Sequence, residues 1–303
     1  MKVTSGKIIV SFVLFFSTTV LVGQNKGSGI LSPGTVPVLI DSGFGFTEGP
    51  AVDKEGNIFF TDQPNNKIWK YDIRGKLSVF LDKTGRSNGM YFEANGNLIS
   101  CADENNQLWS IDPKGKITVL IKDYRGHTLN GPNDLWIAPN GDMYITDPYY
   151  QRDYWTRKKA DSALGGEKLY YLPVHKKELI LVDSGTVKPN GIVGTPDGKF
   201  LYVADFGLGK TFRYEIMSNG LLKNKQLFMN EASDGMTIDD RGNIYITGNG
   251  VTVYDRNGKK IEHIGIPEKW TANVCFGGKK RNMLFITASK SIYTIQTLVK
   301  GVE

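Results

Sequence analysis

Softer metal ligands are scarce in this chain: 303 residues carry three histidines and two cysteines. Cys101 and Cys275 sit in apolar strand-like runs, LISCAD and NVCFGG, far apart in the repeat order described below. They read as two buried thiols rather than a disulfide. Helical periodicity is missing beyond the N-terminal region, which leaves strands as the building material. A basic stripe is missing too. The net charge is +6, but Lys and Arg are scattered, which excludes a nucleic-acid face. The single long apolar stretch, Ile8 to Val22, is broken by Ser11 and Ser17-Thr18-Thr19 and is short for a membrane span.

That stretch, with Lys2 and Lys7 before it and Leu21-Val22-Gly23 after it, reads as a secretory leader. The expected organisation is a signal peptide over 1–23, a linker over 24–35 and one domain over 36–303. Cleavage after Gly23 removes two lysines and no acid, taking the charge from +6 to +4. No cysteine lies near the cleavage site, so a lipid anchor is not expected. The mature protein is expected to be exported, periplasmic or secreted, without stable membrane insertion.

What is abundant is glycine, 35 residues, beside 40% apolar and 11% aromatic content, enough for a sizeable core full of tight turns. A hairpin recurs along the chain: GPAVDKEGNIFFTD from Gly49, GMYFEANGNLISCAD from Gly89, DLWIAPNGDMYITD from Asp134, GIVGTPDGKFLYVAD from Gly191, GMTIDDRGNIYITG from Gly235 and VCFGGKKRNMLFITA from Val274. Most copies are followed by a third strand-like run (KIWKYD, QLWSID, KLYYLP) and several by a fourth (LSVFLD, ITVLIK, ELILVD). Four short antiparallel strands every ~40–45 residues predict an all-β, six-bladed β-propeller. The sixth unit shows three strands, and a strand at Val36–Ile40 precedes the first. The last blade is therefore expected to be completed by the N-terminal strand, which removes an open edge.

Just before the first strand of each unit stand Glu48, Asn88, Asn133, Asn190, Asp234 and Asn273, spaced by 40, 45, 57, 44 and 39 residues. Equivalent positions on innermost strands form a ring at one mouth of the central channel. All six are carboxylates or amides. Asn and Asp are common before strands as turn formers, but Glu48 is not one. An all-oxygen ring holding two carboxylates suits a hard divalent ion, Ca²⁺ first, with Mg²⁺, Mn²⁺ or Zn²⁺ left open as other occupants. No His or Cys joins the ring, against a dedicated Zn²⁺ or Cu site. Asp134 is expected behind Asn133, orienting it or bonding backbone amides. Asn88 and Asn273 are expected to meet substrate or water. The 57-residue spacing holds an insertion, Tyr149 to Gly166, whose Tyr149, Tyr150, Arg152, Tyr154 and Trp155 could form a lid, with Tyr149 and Arg152 expected to bind substrate.

The ordered set F-x-E-G-P, P-N-D-L, P-N-G-I, S-D-G-M and C-F-G-G-K resembles the superfamily of gluconolactonase, senescence marker protein (regucalcin) and luciferin-regenerating enzyme, over essentially the whole chain after residue 36. The resemblance implies a six-bladed propeller with a divalent ion, usually Ca²⁺, at the channel. It implies ligand roles for Glu48, Asn190 and Asp234, a ligand or substrate-contacting role for Asn133, and acid/base chemistry at Asp234, as general base or nucleophile. The regucalcin branch carries an Arg where this chain has Gly131, and Thr-Asp-Pro-Tyr-Tyr after the second strand looks like the bacterial lactonase branch. The expected activity is metal-dependent opening of a lactone, a sugar lactone first. Phosphotriester or aryl ester hydrolysis on the same site, and a non-enzymatic ligand-binding propeller with a structural ion, stay open.

Overall fold

The computed structural model describes residues 1, 28–157 and 162–302. The expected leader, apart from Met1, and the start of the linker lie outside them. Twenty-four strands form six four-stranded antiparallel sheets. Blade 1 comprises β2 (Thr47–Val52), β3 (Ile58–Asp62), β4 (Lys67–Tyr71) and β5 (Leu77–Asp82). Blade 2 comprises β6 (Met90–Phe92), β7 (Leu98–Ala102), β8 (Gln107–Ile111) and β9 (Ile117–Ile121). Blade 3 is built from β10 (Leu135–Ile137), β11 (Met143–Asp147), β12 (Lys168–Leu172) and β13 (Ile180–Asp183). In blade 4 are β14 (Pro189–Gly194), β15 (Phe200–Asp205), β16 (Lys210–Ile216) and β17 (Leu222–Met229). Blade 5 holds β18 (Met236–Ile238), β19 (Ile244–Gly248), β20 (Gly250–Tyr254) and β21 (Lys260–Ile264).

Blade 6 closes the ring as expected. β22 (Thr271–Gly277), β23 (Met283–Ala288) and β24 (Ser291–Gln296) take β1 (Val38–Ser42) as their fourth strand, with Val38 opposite Thr294 and Ser42 opposite Ser291. β1 begins two residues later than the sequence suggested and runs to Ser42. Pro37 has no N–H to give a ladder, so pairing starts after it. Ile30, inside the expected linker, is fully buried in the cluster holding Val299, and its carbonyl accepts the Leu298 N–H at 2.8 Å. That part of the segment is packed.

Burial falls from axis to rim. β2, β3, β14 and β22 are buried throughout, whereas β5 exposes half of its residues and β17 most of them. The innermost strands touch their neighbours around the whole ring, β2 to β6 and on to β22 and back to β2. The core lies between blades. Phe60 meets Phe285 of blade 6 at 5.5 Å between ring centres, and Trp136 of blade 3 lies so close to Gly194 of blade 4 that a Cβ there would come within 2.4 Å of its ring. Truncating a fully buried ring such as Phe60 to Ala typically costs about 3–5 kcal/mol. The hairpin turns repeat one device: Asp53 Oδ1 accepts the Asn57 N–H at 2.8 Å while the Asp53 carbonyl accepts the Gly56 N–H at 3.0 Å. Cys101 and Cys275 are buried reduced thiols, in β7 and β22. Among the described residues no helix is long and apolar enough to cross a membrane.

Candidate functional site

The innermost strands are bent where the ring residues sit. Ladder register slips between Glu48 and Ala51 in β2, between Pro189 and Ile192 in β14, and between Thr271 and Asn273 in β22. A bulge re-aims a side chain out of the alternating pattern. Glycine follows the ring residue in four blades, as Gly49, Gly89, Gly191 and Gly235, because adjacent inner strands nearly touch there. A Cβ on Gly49 would lie 2.0 Å from the Asn88 carbonyl oxygen, and one on Gly89 would lie 2.7 Å from that of Asn133. The Gly89 N–H donates to that Asn133 carbonyl at 2.7 Å.

A second repeated device, visible in the sequence as the Asp closing FFTD, YITD and YVAD, was missed there. Asp62, Asp147 and Asp205 each end a second strand and take two consecutive backbone N–H groups from the segment entering the first. Asp62 Oδ1 accepts from Gly45 and Phe46 at 2.9 and 3.2 Å, Asp147 from Asn130 and Gly131 at 3.0 and 2.8 Å, and Asp205 from Val187 and Lys188, both at 2.9 Å. These clamps fix the approach to Glu48, Asn133 and Asn190.

Five ring residues, Glu48, Asn88, Asn133, Asn190 and Asp234, line one cavity of about 400 Å³. Asn273 does not. Its Oδ1 accepts the Val274 N–H at 2.8 Å and its side chain supports Glu48 from below. Asp134 also lies below the cavity, its Oδ1 accepting the Leu135 N–H at 2.9 Å. Glu48 Oε2 takes the Gly49 N–H at 3.1 Å. Burial, then the charge of Asp234, pushes the Glu48 carboxyl well above the usual range. Burial pushes Asp234 up to about 6, opposed by hydrogen bonds from Trp270 and Asn190 and by the charge of Arg152. Trp270 Nε1–H donates to Asp234 Oδ2 at 2.7 Å, and Asn190 Nδ2 donates to the Tyr150 hydroxyl at 3.0 Å.

The cavity wall comes from segments between strands: Phe46, Gln63, Tyr150, Arg152, Lys188, Phe206 and Trp270. Gln63, Lys188, Phe206 and Trp270 escaped the sequence reading. Gln63 and Phe206 each directly follow the clamping Asp of a second strand, a position the repeat alignment could have flagged. Trp270 carries no such signal. Of the two insertion residues expected to bind substrate, Arg152 lines the cavity and Tyr149 does not. Tyr149 donates its hydroxyl to Gln151 at 2.7 Å, and its carbonyl accepts from Lys188 at 2.9 Å. The neighbouring Tyr150 faces the cavity instead.

The insertion crosses from blade 3 to blades 1 and 2. The Tyr154 hydroxyl donates to Gln63 at 2.9 Å and the Thr156 N–H to Glu104 at 3.1 Å. Arg157 Nη1 pairs with Asp103 at 2.6 Å, both side chains 2% exposed, and Arg157 also donates to the carbonyls of Asp103 and Tyr150. Its guanidinium stacks on Trp155 at 3.9 Å. It fills the space a side chain at Gly131 would need: a Cβ there would lie 2.0 Å from Arg157 Nη1.

Two larger grooves lie elsewhere, of about 810 Å³ between blades 1 and 2 and about 1050 Å³ at the outer edge of blade 3. In the first, Asp53 and Asp112 are spent on the backbone of their own turns. Among the described residues no group of three His, Cys, Asp or Glu side chains converges anywhere. The 400 Å³ cavity is instead two carboxylates set among amides.

Residues 46–290 match the family model described as SMP-30/Gluconolactonase/LRE-like region. The chain is 28% identical over 306 aligned residues to the gluconolactonase of Zymomonas mobilis, covering 90% of this chain and 84% of that protein. It is 25% identical to a solved gluconolactonase from Xanthomonas campestris, with a TM-score of 0.82 over 89% of this chain and 91% of the other. A calcium-binding regucalcin from Agrobacterium tumefaciens, at 19% identity and a TM-score of 0.71, covers 87% and 94% and shares the fold.

Proposed function

Because the chain belongs to the SMP-30/gluconolactonase/LRE-like family, we propose that it hydrolyses a sugar lactone in the 400 Å³ cavity. The observation that carries this reading is the cavity floor, where Glu48 and Asp234 share a confined space with amides and repel each other. Two like charges in low dielectric call for a divalent counter-ion. Glu48, Asn133, Asn190 and Asp234 would hold it, and an all-oxygen donor set of this kind suits Ca²⁺. Asn190 spends its amide N–H groups on Tyr150 and Asp234, which leaves its carbonyl oxygen to face a cation. When bound, such an ion would polarise the lactone carbonyl and steady the charge that develops on its oxygen.

The chain's own residues do the rest. Trp270 holds Asp234 Oδ2 and fixes the carboxylate plane, from which Asp234 would serve the attacking water as general base or attack the carbonyl as nucleophile. Asn88 and Asn133 offer donors and acceptors to ring hydroxyls, while Gln63, bonded to Tyr154 and Asp103, ties the wall to the insertion. Phe46, Tyr150, Phe206 and Trp270 give the apolar faces on which a sugar ring stacks and from which water is excluded. Asn273 and Asp134 serve from below, as supports.

The test is a substrate panel of gluconolactone, an aryl ester and a phosphotriester, with and without chelator. Lactone turnover that chelator abolishes and Ca²⁺ restores is expected, with Asp234→Ala inactive. Turnover of the phosphotriester alone, or near-normal lactone turnover by Asp234→Ala, would overturn the assignment.

A further inference from the structure

Among the described residues Arg86, Arg152, Arg157 and Lys188 stand along the insertion and the cavity mouth, and three of these four are neutralised. Arg86 pairs with Glu104 at 3.1 Å, Arg157 with Asp103 at 2.6 Å, and Lys188 with Glu167 at 3.4 Å. The fourth, Arg152, is exposed, makes no ion pair among the described residues, and lines the cavity. Its guanidinium lies 5.2 Å from the centre of the Tyr150 ring, and the Lys188 ammonium lies 4.6 Å from the same centre. Tyr150 is in turn tied to Asn190 on the floor, so Arg152 stands one aromatic ring from the residues assigned to the reaction.

The charge balance gives this placement a consequence. A divalent ion cancels Glu48 and Asp234, and Glu167 cancels Lys188. The loaded cavity then keeps one uncompensated positive charge, on a guanidinium whose planar fork matches carboxylate, sulfonate or phosphate oxygens. We propose that the substrate is a lactone bearing a second, anionic group, and that Arg152 is the residue that selects it. This inference rests on the lactonase reading of the same cavity. A neutral sugar lactone fills the floor and leaves Arg152 unused; an anionic one satisfies both ends. Solvent at the mouth limits what the contact contributes, and a charge-assisted hydrogen bond of this kind corresponds to a selectivity of about ten- to a hundredfold.

The test compares glucono-1,5-lactone with a carboxylate-bearing lactone, glucaro-1,4-lactone, and with 6-phosphogluconolactone, in wild type, Arg152→Gln and Arg152→Lys. Calorimetry with the open-chain acids gluconate and glucarate supplies a readout independent of turnover. The expected result is a kcat/KM ratio favouring an anionic lactone, falling with added salt. Arg152→Gln should lower that ratio at least tenfold, and Arg152→Lys should recover part of it. Glucarate should bind more tightly than gluconate in an Arg152-dependent way. A ratio and a binding preference unmoved by Arg152→Gln would overturn the anion selectivity while leaving the lactonase reading intact. Arg152-dependent glucarate binding with no lactone turnover would do the reverse. Equal losses for gluconate and glucarate would place Arg152 on the carboxylate that the reaction itself generates, and would also overturn the proposal.

Discussion

Gly131→Ala is the sharpest probe of how the insertion is held. Two separate penalties meet at this one atom. Gly131 has φ of +142°, a region glycine enters freely and alanine does not, at a cost of roughly 1–3 kcal/mol. The new Cβ would also lie 2.0 Å from Arg157 Nη1 and 2.3 Å from Asp103 Oδ1. Relief requires the guanidinium to move by more than an ångström, which breaks its 2.6 Å contact with Asp103, a charge-assisted bond worth about 1.5–3 kcal/mol. A double-mutant cycle with Arg157→Ala separates the two. In wild type the substitution costs strain plus the displaced ion pair; in the Arg157→Ala background no ion pair is lost, and it meets strain and an Asp103 carboxylate released to turn aside. The two changes should therefore be sub-additive by about 1.5–3 kcal/mol in urea unfolding. The insertion should also become a site of protease cleavage in Gly131→Ala, since the Asp103 anchor goes first. Additivity within about 0.5 kcal/mol would show that Arg157 does not occupy that space in solution.

Two further outcomes follow from the site. Trp270→Phe keeps the apolar wall but removes the donor to Asp234, and should lower kcat about ten- to a hundredfold with an unchanged far-ultraviolet circular dichroism spectrum, an unaltered kcat counting against the hydrogen bond. Asp147 is one source of pH dependence, in the same sense as Asp103, also raised to about 7, and the raised Glu48, Asp234 and Glu167: burial and then Glu167 raise Asp147 to about 7, against the Asn130 and Gly131 N–H groups and Arg157. With the folded value above the unfolded one, its contribution is complete below about pH 4 and is lost as pH rises through about 7, by up to about 4 kcal/mol. The depressed carboxyls Asp72, Asp112, Asp183 and Asp197 act in the opposite sense, below about pH 4, and so fall outside this window. Urea midpoints between pH 4.5 and 7.5 should fall less steeply in Asp147→Asn than in wild type; equal slopes would remove Asp147 as a source.

The architecture was legible because it repeats. A hairpin recurring six times, an odd strand before the first unit and a missing one in the last give blade number and closure without any tertiary information. The ring was legible for the same reason, since Glu48 to Asn273 share a register. What the repeat could not convey is which of six equivalent positions point inward. Asn273 and Glu48 each accept the N–H of the next residue, yet Glu48 lines the cavity and Asn273 does not; the bulge precedes Asn273 in β22 and follows Glu48 in β2. Tyr149 and Tyr150 were interchangeable on paper, because a loop has no period to say which neighbour faces in. Gly131 stood out in sequence only as a departure from the regucalcin branch. That Arg157 returns a guanidinium to the vacated space depends on a loop crossing between blades, which no local pattern encodes.

The seam between β1 and β24 also sets an order in time. Among the described strands β1 comes first and β24 last, so the ring cannot close before β24 is made. Glu48 in β2 and Asn273 in β22 meet where blade 1 packs on blade 6, so the support of one by the other waits for these two blades to come together. A nascent or C-terminally clipped chain can therefore carry finished blades and still lack a finished floor. Catalysis, on this view, begins abruptly with the last strand rather than growing blade by blade.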